Sequence, residues 1–207
     1  MKNNKKFKLI ILDMDGVILK SDILYFEIAK MINSKVNLAE VSSNISKGGQ
    51  ALFKSIFGDN YTEENIIWFR EMQIKVFNPN IHLYNDIVKI VMDISRNYKL
   101  AMVSNKPISC IKGILKQVCV YDEFDIVVGR DSGLAIKPNP DGINHVLQIM
   151  EVDKNETLYL GDSKSDYDAC LKADISFAHC KYGFDTSSVK CEYILNDEAQ
   201  IKDILEL

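Results

Sequence analysis

The chain has 207 residues, of which 47% are hydrophobic and 26% charged, and its formal charge is −4. A chain of this length can bury a core without disulfide or metal staples, and its composition excludes disorder as the dominant state. The acidic balance argues against a nucleic-acid partner, which needs a basic face.

Lys2, Lys5, Lys6 and Lys8 open the chain as a solvated leader. The apolar run after them, residues 9–12, is far too short for a signal-peptide core or a membrane span. Five cysteines stand at 110, 119, 170, 180 and 191, with no C-x-x-C spacing. A disulfide framework or zinc site is therefore not expected, and a cytoplasmic, reducing location without a membrane partner is.

Residues 7–12 read as an apolar strand ending at Asp13-Met14-Asp15-Gly16. Two aspartates two positions apart point to the same side while the chain stays extended. Gly16 permits the turn that follows. A calcium loop also begins D-x-D, but it needs Gly at its sixth position and usually Glu at its twelfth. Ile18 and Leu24 stand there. A plain strand-ending turn remains the alternative for this tetrapeptide taken alone.

Residues 21–80 contain no convincing strand. Helical patterns appear at 22–33, 38–47, 50–57 and 62–77, the last opened by Thr62 with Glu63 and Glu64 behind it. Gly48-Gly49 marks a turn between helices, and Trp68, Phe69 and Met72 are expected in a small helical core.

Strands and helices then alternate. A helix over 85–97 places Ile87, Ile90, Val91 and Ile94 on one stripe. A strand at 99–103 ends at Ser104-Asn105, a helix follows over 107–118, and a strand at 124–128 ends at Gly129. Lys137 sits in a proline-stiffened loop before a helix over 141–150. A strand at 157–160 ends at Gly161-Asp162, with Asp166 four residues on, and a further strand is expected at 175–178. The alternation predicts an α/β fold: a doubly wound, parallel, Rossmann-like core from residues 1–19 and 81–207, with a helical cap inserted at 20–80. Sites in such sheets form at the carboxyl ends of the strands. Those ends carry Asp13, Asp15, Ser104 and Asp162.

Four carboxylates gathered at one edge repel unless a cation neutralises them, and hard oxygens without His or Cys favour Mg²⁺ over zinc. Asp162 also reads as a helix N-cap. The Ser104 hydroxyl and the N–H groups after it suit either an anion grip or a cap, and Lys137 either an anion grip or a solvated loop. Together these elements supply what phosphoryl transfer needs: a carboxylate nucleophile, a second carboxylate, a cation site and anion grips.

The ordered set Asp13-x-Asp15-Gly16, Ser104-Asn105, Lys137-Pro138 and Gly161-Asp162-x-x-x-Asp166 resembles the haloacid dehalogenase-like hydrolase superfamily, in its phosphoglycolate phosphatase and β-phosphoglucomutase branch. The likeness runs from Phe7 to about Phe184. It implies that Asp13 attacks phosphorus and forms an aspartyl-phosphate, and that Asp15 protonates the leaving oxygen and then activates water. It implies Mg²⁺ on the Asp13 carboxylate, the Asp15 backbone carbonyl and the Asp162 carboxylate, with Asp166 as a further ligand or an orienter of the others. Ser104, Asn105 and Lys137 would hold the phosphoryl group. Lys47-Gly48-Gly49-Gln50 would be the cap loop that meets the substrate. The dehalogenases and phosphonate hydrolases of the superfamily replace the second aspartate, so Asp15 argues against both. The expected function is a Mg²⁺-dependent phosphatase of a small phosphorylated metabolite, with a β-phosphoglucomutase-like mutase as the alternative. His82, His145 and His179 match no catalytic role.

Overall fold

A computed structural model describes residues 6–185 and 188–207, so Lys2 and Lys5 lie outside the described residues. Six strands form one sheet: β1 (Leu9–Leu12), β2 (Lys99–Val103), β3 (Ile126–Val128), β4 (Thr157–Gly161), β5 (Ser176–Cys180) and β6 (Tyr193–Leu195). Their order is β3-β2-β1-β4-β5-β6 and every pairing is parallel. β1 and β4 are buried at every position, as strands covered on both faces must be.

In the chain, β1 is followed by an insert of helices α1 (Ser21–Ile32), α2 (Leu38–Ser46), α3 (Gly49–Phe57) and α4 (Glu63–Val76), with the short α5 (Pro79–His82) after them. α4 opens on a capping box in which Thr62 and Asn65 satisfy each other's backbone N–H groups. The aromatic rings of Tyr25, Phe53 and Phe57 all pack edge-on against Phe69. Phe69 is the buried centre of this group, and Met72 packs against it only partly buried. Trp68 corrects the expectation: it is exposed, one residue round α4 from Phe69, and meets Phe57 edge-on.

Chain exit and return are held side by side. Leu19 and Leu83 form an isolated antiparallel bridge, and Lys20 donates its N–H to the His82 carbonyl at 2.7 Å. His82 is buried there; its Nδ1 accepts the Asn78 N–H, which leaves the proton on Nε2 to face Glu27 at 3.1 Å.

Helices α6 (Ile87–Asn97), α7 (Ile108–Leu115), α8 (Asp141–Met150), α9 (Lys164–Ala173) and α10 (Gln200–Leu205) cover the two faces of the sheet. Side chains alternate along each strand, so Ile10 and Leu12 join a core with α6, α7 and α10, while Leu9 and Ile11 join one with α8 and α9. The expected stripe of α6 is buried in full, each of its four side chains contributing about 1.5–3 kcal/mol of burial. β6 and α10 are additions to the expected elements. All five cysteines are free. No helix among the described residues is long and apolar enough to cross a membrane.

Candidate active site

Strand register brings the distant motifs together. Leu12 of β1 lies opposite Met102 of β2 and Leu160 of β4. Asp13 is therefore level with Val103 and Gly161, and Ser104 and Asp162 stand one residue beyond. β1 is also where the sheet order reverses, and such switch points leave a crevice at the carboxyl edge.

Lys137 reaches into this edge from its loop. Its Nζ lies 3.0 Å from Asp13 Oδ1 and 2.5 Å from Asp166 Oδ1, and it donates to the Val103 carbonyl and the Tyr159 hydroxyl. The Asn105 amide holds the loop in place by exchanging two 3.0 Å hydrogen bonds with the Lys137 backbone. Asn105 thus positions Lys137 and spends its side chain in doing so. Burial pulls on the Lys137 ammonium, but Asp13 and Asp166 outweigh it and hold it above the usual lysine range.

Asp13 is 6% exposed. Burial pushes its carboxyl up to about 7 against the pull of Lys137, and Asp166 and Asp15 add to the push. Asp162 is raised well above the carboxylate range by burial, then by Asp166 and Asp13. Asp162 does not cap α9, as its position before the helix had suggested. Ser163 caps it, and Asp166 closes the capping box.

Two glycines make room for Asp162. A Cβ on Gly16, whose φ is +75°, would stand 1.9 Å from Asp162 Oδ2. One on Gly183 would stand 2.4 Å from Asp162 Cβ. No side chain fits either place while Asp162 points into the edge.

Asp13, Asp162 and Asp166 present carboxylate oxygens that all lie within 4.8 Å of one another. With Lys137 beside them, the three carboxylates when ionised exceed the one ammonium by two negative charges. Asp13 Oδ1 is buried and accepts no aligned hydrogen bond, so Lys137 faces it as an ion pair only. A buried anionic oxygen with an ion pair but no aligned hydrogen bond among the described residues, in an oxygen-only cluster with this charge, fits a hard divalent cation. Asp166 has no such spare capacity: Oδ1 takes Lys137 and Tyr159, while Oδ2 takes the Ser163 N–H and hydroxyl.

Asp15 faces a different set. Its Oδ1 receives the Ser21 hydroxyl and lies 2.9 Å from Lys106 Nζ. Lys106 also donates to the Tyr25 hydroxyl and to Gln73 Oε1. Above the edge lies a cavity of about 550 Å³. Its floor carries Asp13, Asp15, Ser104, Lys106, Lys137 and Asp162, and its helical wall carries Tyr25, Leu52, Phe53, Phe69, Arg70 and Gln73. Lys47, Gly48 and Gly49 also line it, whereas Gln50 does not. His82, His145 and His179 do not line it; the His179 Nε2 lies 3.2 Å from the Asp162 carbonyl oxygen and its ring stacks on Phe177.

Lys106, Tyr25, Gln73 and Tyr159 are site residues the sequence reading passed over. Tyr159 had a signal, since it is a hydroxyl in the middle of an apolar strand. Gln73 had a weaker one, four residues after Phe69 on the buried side of α4.

A family model described as haloacid dehalogenase-like hydrolase matches residues 10–180. The chain belongs to the haloacid dehalogenase-like hydrolases. Within this family it stands in the phosphoglycolate phosphatase-like branch, as a phosphatase, a phosphoric monoester hydrolase. It is 27% identical over 185 residues to a phosphoglycolate phosphatase of Aquifex aeolicus (strain VF5), covering 86% of each chain. It is 29% identical over 115 residues to the pyrophosphatase PpaX of Listeria innocua serovar 6a, covering 55% of this chain and 53% of that one. The fold matches the crystal structure of a predicted phosphoglycolate phosphatase from Haemophilus somnus 129pt with a TM-score of 0.78, at 23% identity over 98% of this chain and 99% of that one.

Proposed function

We propose that the chain is a Mg²⁺-dependent phosphatase of a small phosphorylated metabolite, working through a phosphorylated Asp13. The observation that carries this reading is the environment of Asp13. It is a buried carboxylate at a strand end, beside Lys137 and Ser104, with one oxygen free of hydrogen bonds and a cavity above it. An oxygen of Asp13 forms the new bond to phosphorus as the ester P–O bond breaks, and Asp15 delivers a proton to the departing oxygen. Asp15 then takes a proton from water, whose oxygen attacks the same phosphorus. That step releases phosphate and restores the Asp13 carboxylate. Lys137 and the Ser104 hydroxyl hold the equatorial phosphoryl oxygens, offsetting the repulsion between dianion and carboxylate.

Mg²⁺ would be held by the Asp13 and Asp162 carboxylates and the Asp15 carbonyl, and it would supply positive charge where the phosphate gathers it. Asp166, with both oxygens engaged, orients Lys137 and Ser163 instead of coordinating. We take residues 20–80 as the lid, with the Leu19–Leu83 crossing as its hinge. Lys47, Gly48 and Gly49 are its contacts to the non-reacting end of the substrate. A cavity of about 550 Å³ suits a metabolite and excludes a folded phosphoprotein.

The test is phosphate release from phosphoglycolate, pyrophosphate and sugar phosphates, with and without Mg²⁺. Turnover is expected with Mg²⁺ and should vanish in Asp13→Asn, by roughly 10⁴-fold or more, while the variant stays folded. Near-normal turnover by folded Asp13→Asn would refute the nucleophile.

A further inference from the structure

Lys106 does not fit the usual uses of a lysine in a phosphate site. It is 3% exposed, and it belongs to the sheet edge, two residues after Ser104. An ammonium has three N–H donors and accepts nothing. All three have acceptors in the chain: Asp15 Oδ1 at 2.9 Å, Gln73 Oε1 at 3.0 Å and the Tyr25 hydroxyl. None is left for a phosphate. The Tyr25 ring also lies 4.7 Å beneath Nζ, which blocks the ammonium on one side.

The origin of the three acceptors matters more than their number. Asp15 belongs to the floor of the cavity. Tyr25 is on α1 and Gln73 on α4, the two inserted helices that meet over it. Gln73 is 4% exposed, so its amide oxygen has little access to water in exchange for this hydrogen bond. The ammonium is fully coordinated only while both helices sit over the edge. On the Asp15 side, Lys106 and Ser21 both engage Oδ1. Among the described residues Oδ2 has no hydrogen-bond or ion-pair partner, and Asp15 lines the cavity.

We infer that Lys106 is a positioning residue that ties Asp15 to the lid: closure of α1 and α4 completes the coordination of its ammonium, and the ammonium fixes one Asp15 oxygen so that the other is aimed at the substrate. The inference rests on the proton role proposed above for Asp15. It makes proton exchange conditional on lid closure, without any lid residue touching the reacting atoms.

Leaving groups separate this role from a structural one. The departing oxygen of phosphoglycolate needs a proton, whereas 4-nitrophenolate leaves without one. Lys106→Met keeps the bulk and removes the charge and the donors. With phosphoglycolate its kcat is expected to fall about 100-fold, with KM changed no more than about threefold. With 4-nitrophenyl phosphate it should release a burst of one nitrophenolate per site, then turn over slowly, because breakdown of the phosphorylated enzyme still needs Asp15 as base. Gln73→Leu, which touches neither Asp15 nor the substrate phosphate, should show the same split at about 10-fold. Equal loss on both substrates, without a burst, would mean general damage to the site and would overturn the inference. So would phosphoglycolate rates within threefold of the unaltered chain in both variants, with Asp15→Asn crippled; the role of Asp15 would then survive alone. If Asp15→Asn itself keeps its rate, the proton role falls and this inference with it. Should Lys106→Met fail to fold, Gln73→Leu decides by the same criteria.

Discussion

On the floor of the cavity, Asp13, Ser104 and Asp162 are placed by backbone, each at or just past the end of a strand whose register is set by its neighbours. On the roof, Tyr25, Phe69 and Gln73 are placed by side-chain packing among helices that share no ladder. The floor is electrostatically stressed. Asp13 and Asp162 are desolvated and, with Asp166, outnumber the Lys137 ammonium among them, and the surrounding sheet holds them there regardless. The roof is relaxed, an aromatic cluster with one buried amide. Stress can be stored where the scaffold is rigid, and adjustment can occur where packing alone decides.

The comparison breaks first at Phe69. It is 1% exposed and three rings lean on it, so Phe69→Ala is expected to cost about 3–5 kcal/mol, read in a urea midpoint. Its neighbour Trp68 is the control. Exposed as it is, Trp68→Ala should stay within about 1 kcal/mol. Equal losses would mean that the roof is not organised around Phe69.

These two residues also show where the sequence was legible. The floor could be read because its signals are local: an apolar run stops, and a carboxylate or hydroxyl follows at once. The order of those runs implied the parallel sheet. α4 offered no such contrast. Ile66, Ile67, Trp68 and Phe69 are consecutive and apolar, so period alone could not say which side faces in. Lys106 stands next to Asn105, yet its role depends on helices whose contact residues lie 81 and 33 positions away. β6 escaped because it is three residues long and its central Ile194 is exposed. Asp162 read as a cap because it precedes a helix, and only the geometry shows Ser163 in that place.

Gly16 tests the floor from the opposite direction. Gly16→Ala adds one methyl group on the wrong side of a left-handed turn and 1.9 Å from an Asp162 oxygen. Asp162 must swing away, and a displacement of about 1 Å in such a site is worth on the order of 10² in rate. The expected outcome is a loss of that size with a raised Mg²⁺ requirement, measured as kcat against Mg²⁺ concentration. An unchanged Mg²⁺ requirement would separate Asp162 from the cation.

The smallest effect expected is the most diagnostic of the stress itself. Without metal, Asp13 keeps its proton up to about 7 in the folded chain, against an ordinary value of 3.8. Between those values the folded state binds more protons than the unfolded one, so metal-free stability should fall as pH rises through that window. Asp162 is shifted in the same direction and adds to the fall. Mg²⁺ needs ionised carboxylates and must displace those protons to bind. Its stabilisation is therefore expected to be weak at pH 5 and full at pH 8. At a free concentration ten times the dissociation constant it should reach about 1.4 kcal/mol, a rise in Tm of roughly 3–6 °C. Melting curves at both pH values, with Mg²⁺ and with chelator, read this directly. A shift of equal size at pH 5 and pH 8 would place the ion elsewhere. The charge excess of the floor would then have to be met by protons alone, and the contrast between a stressed floor and a relaxed roof would lose its chemical purpose.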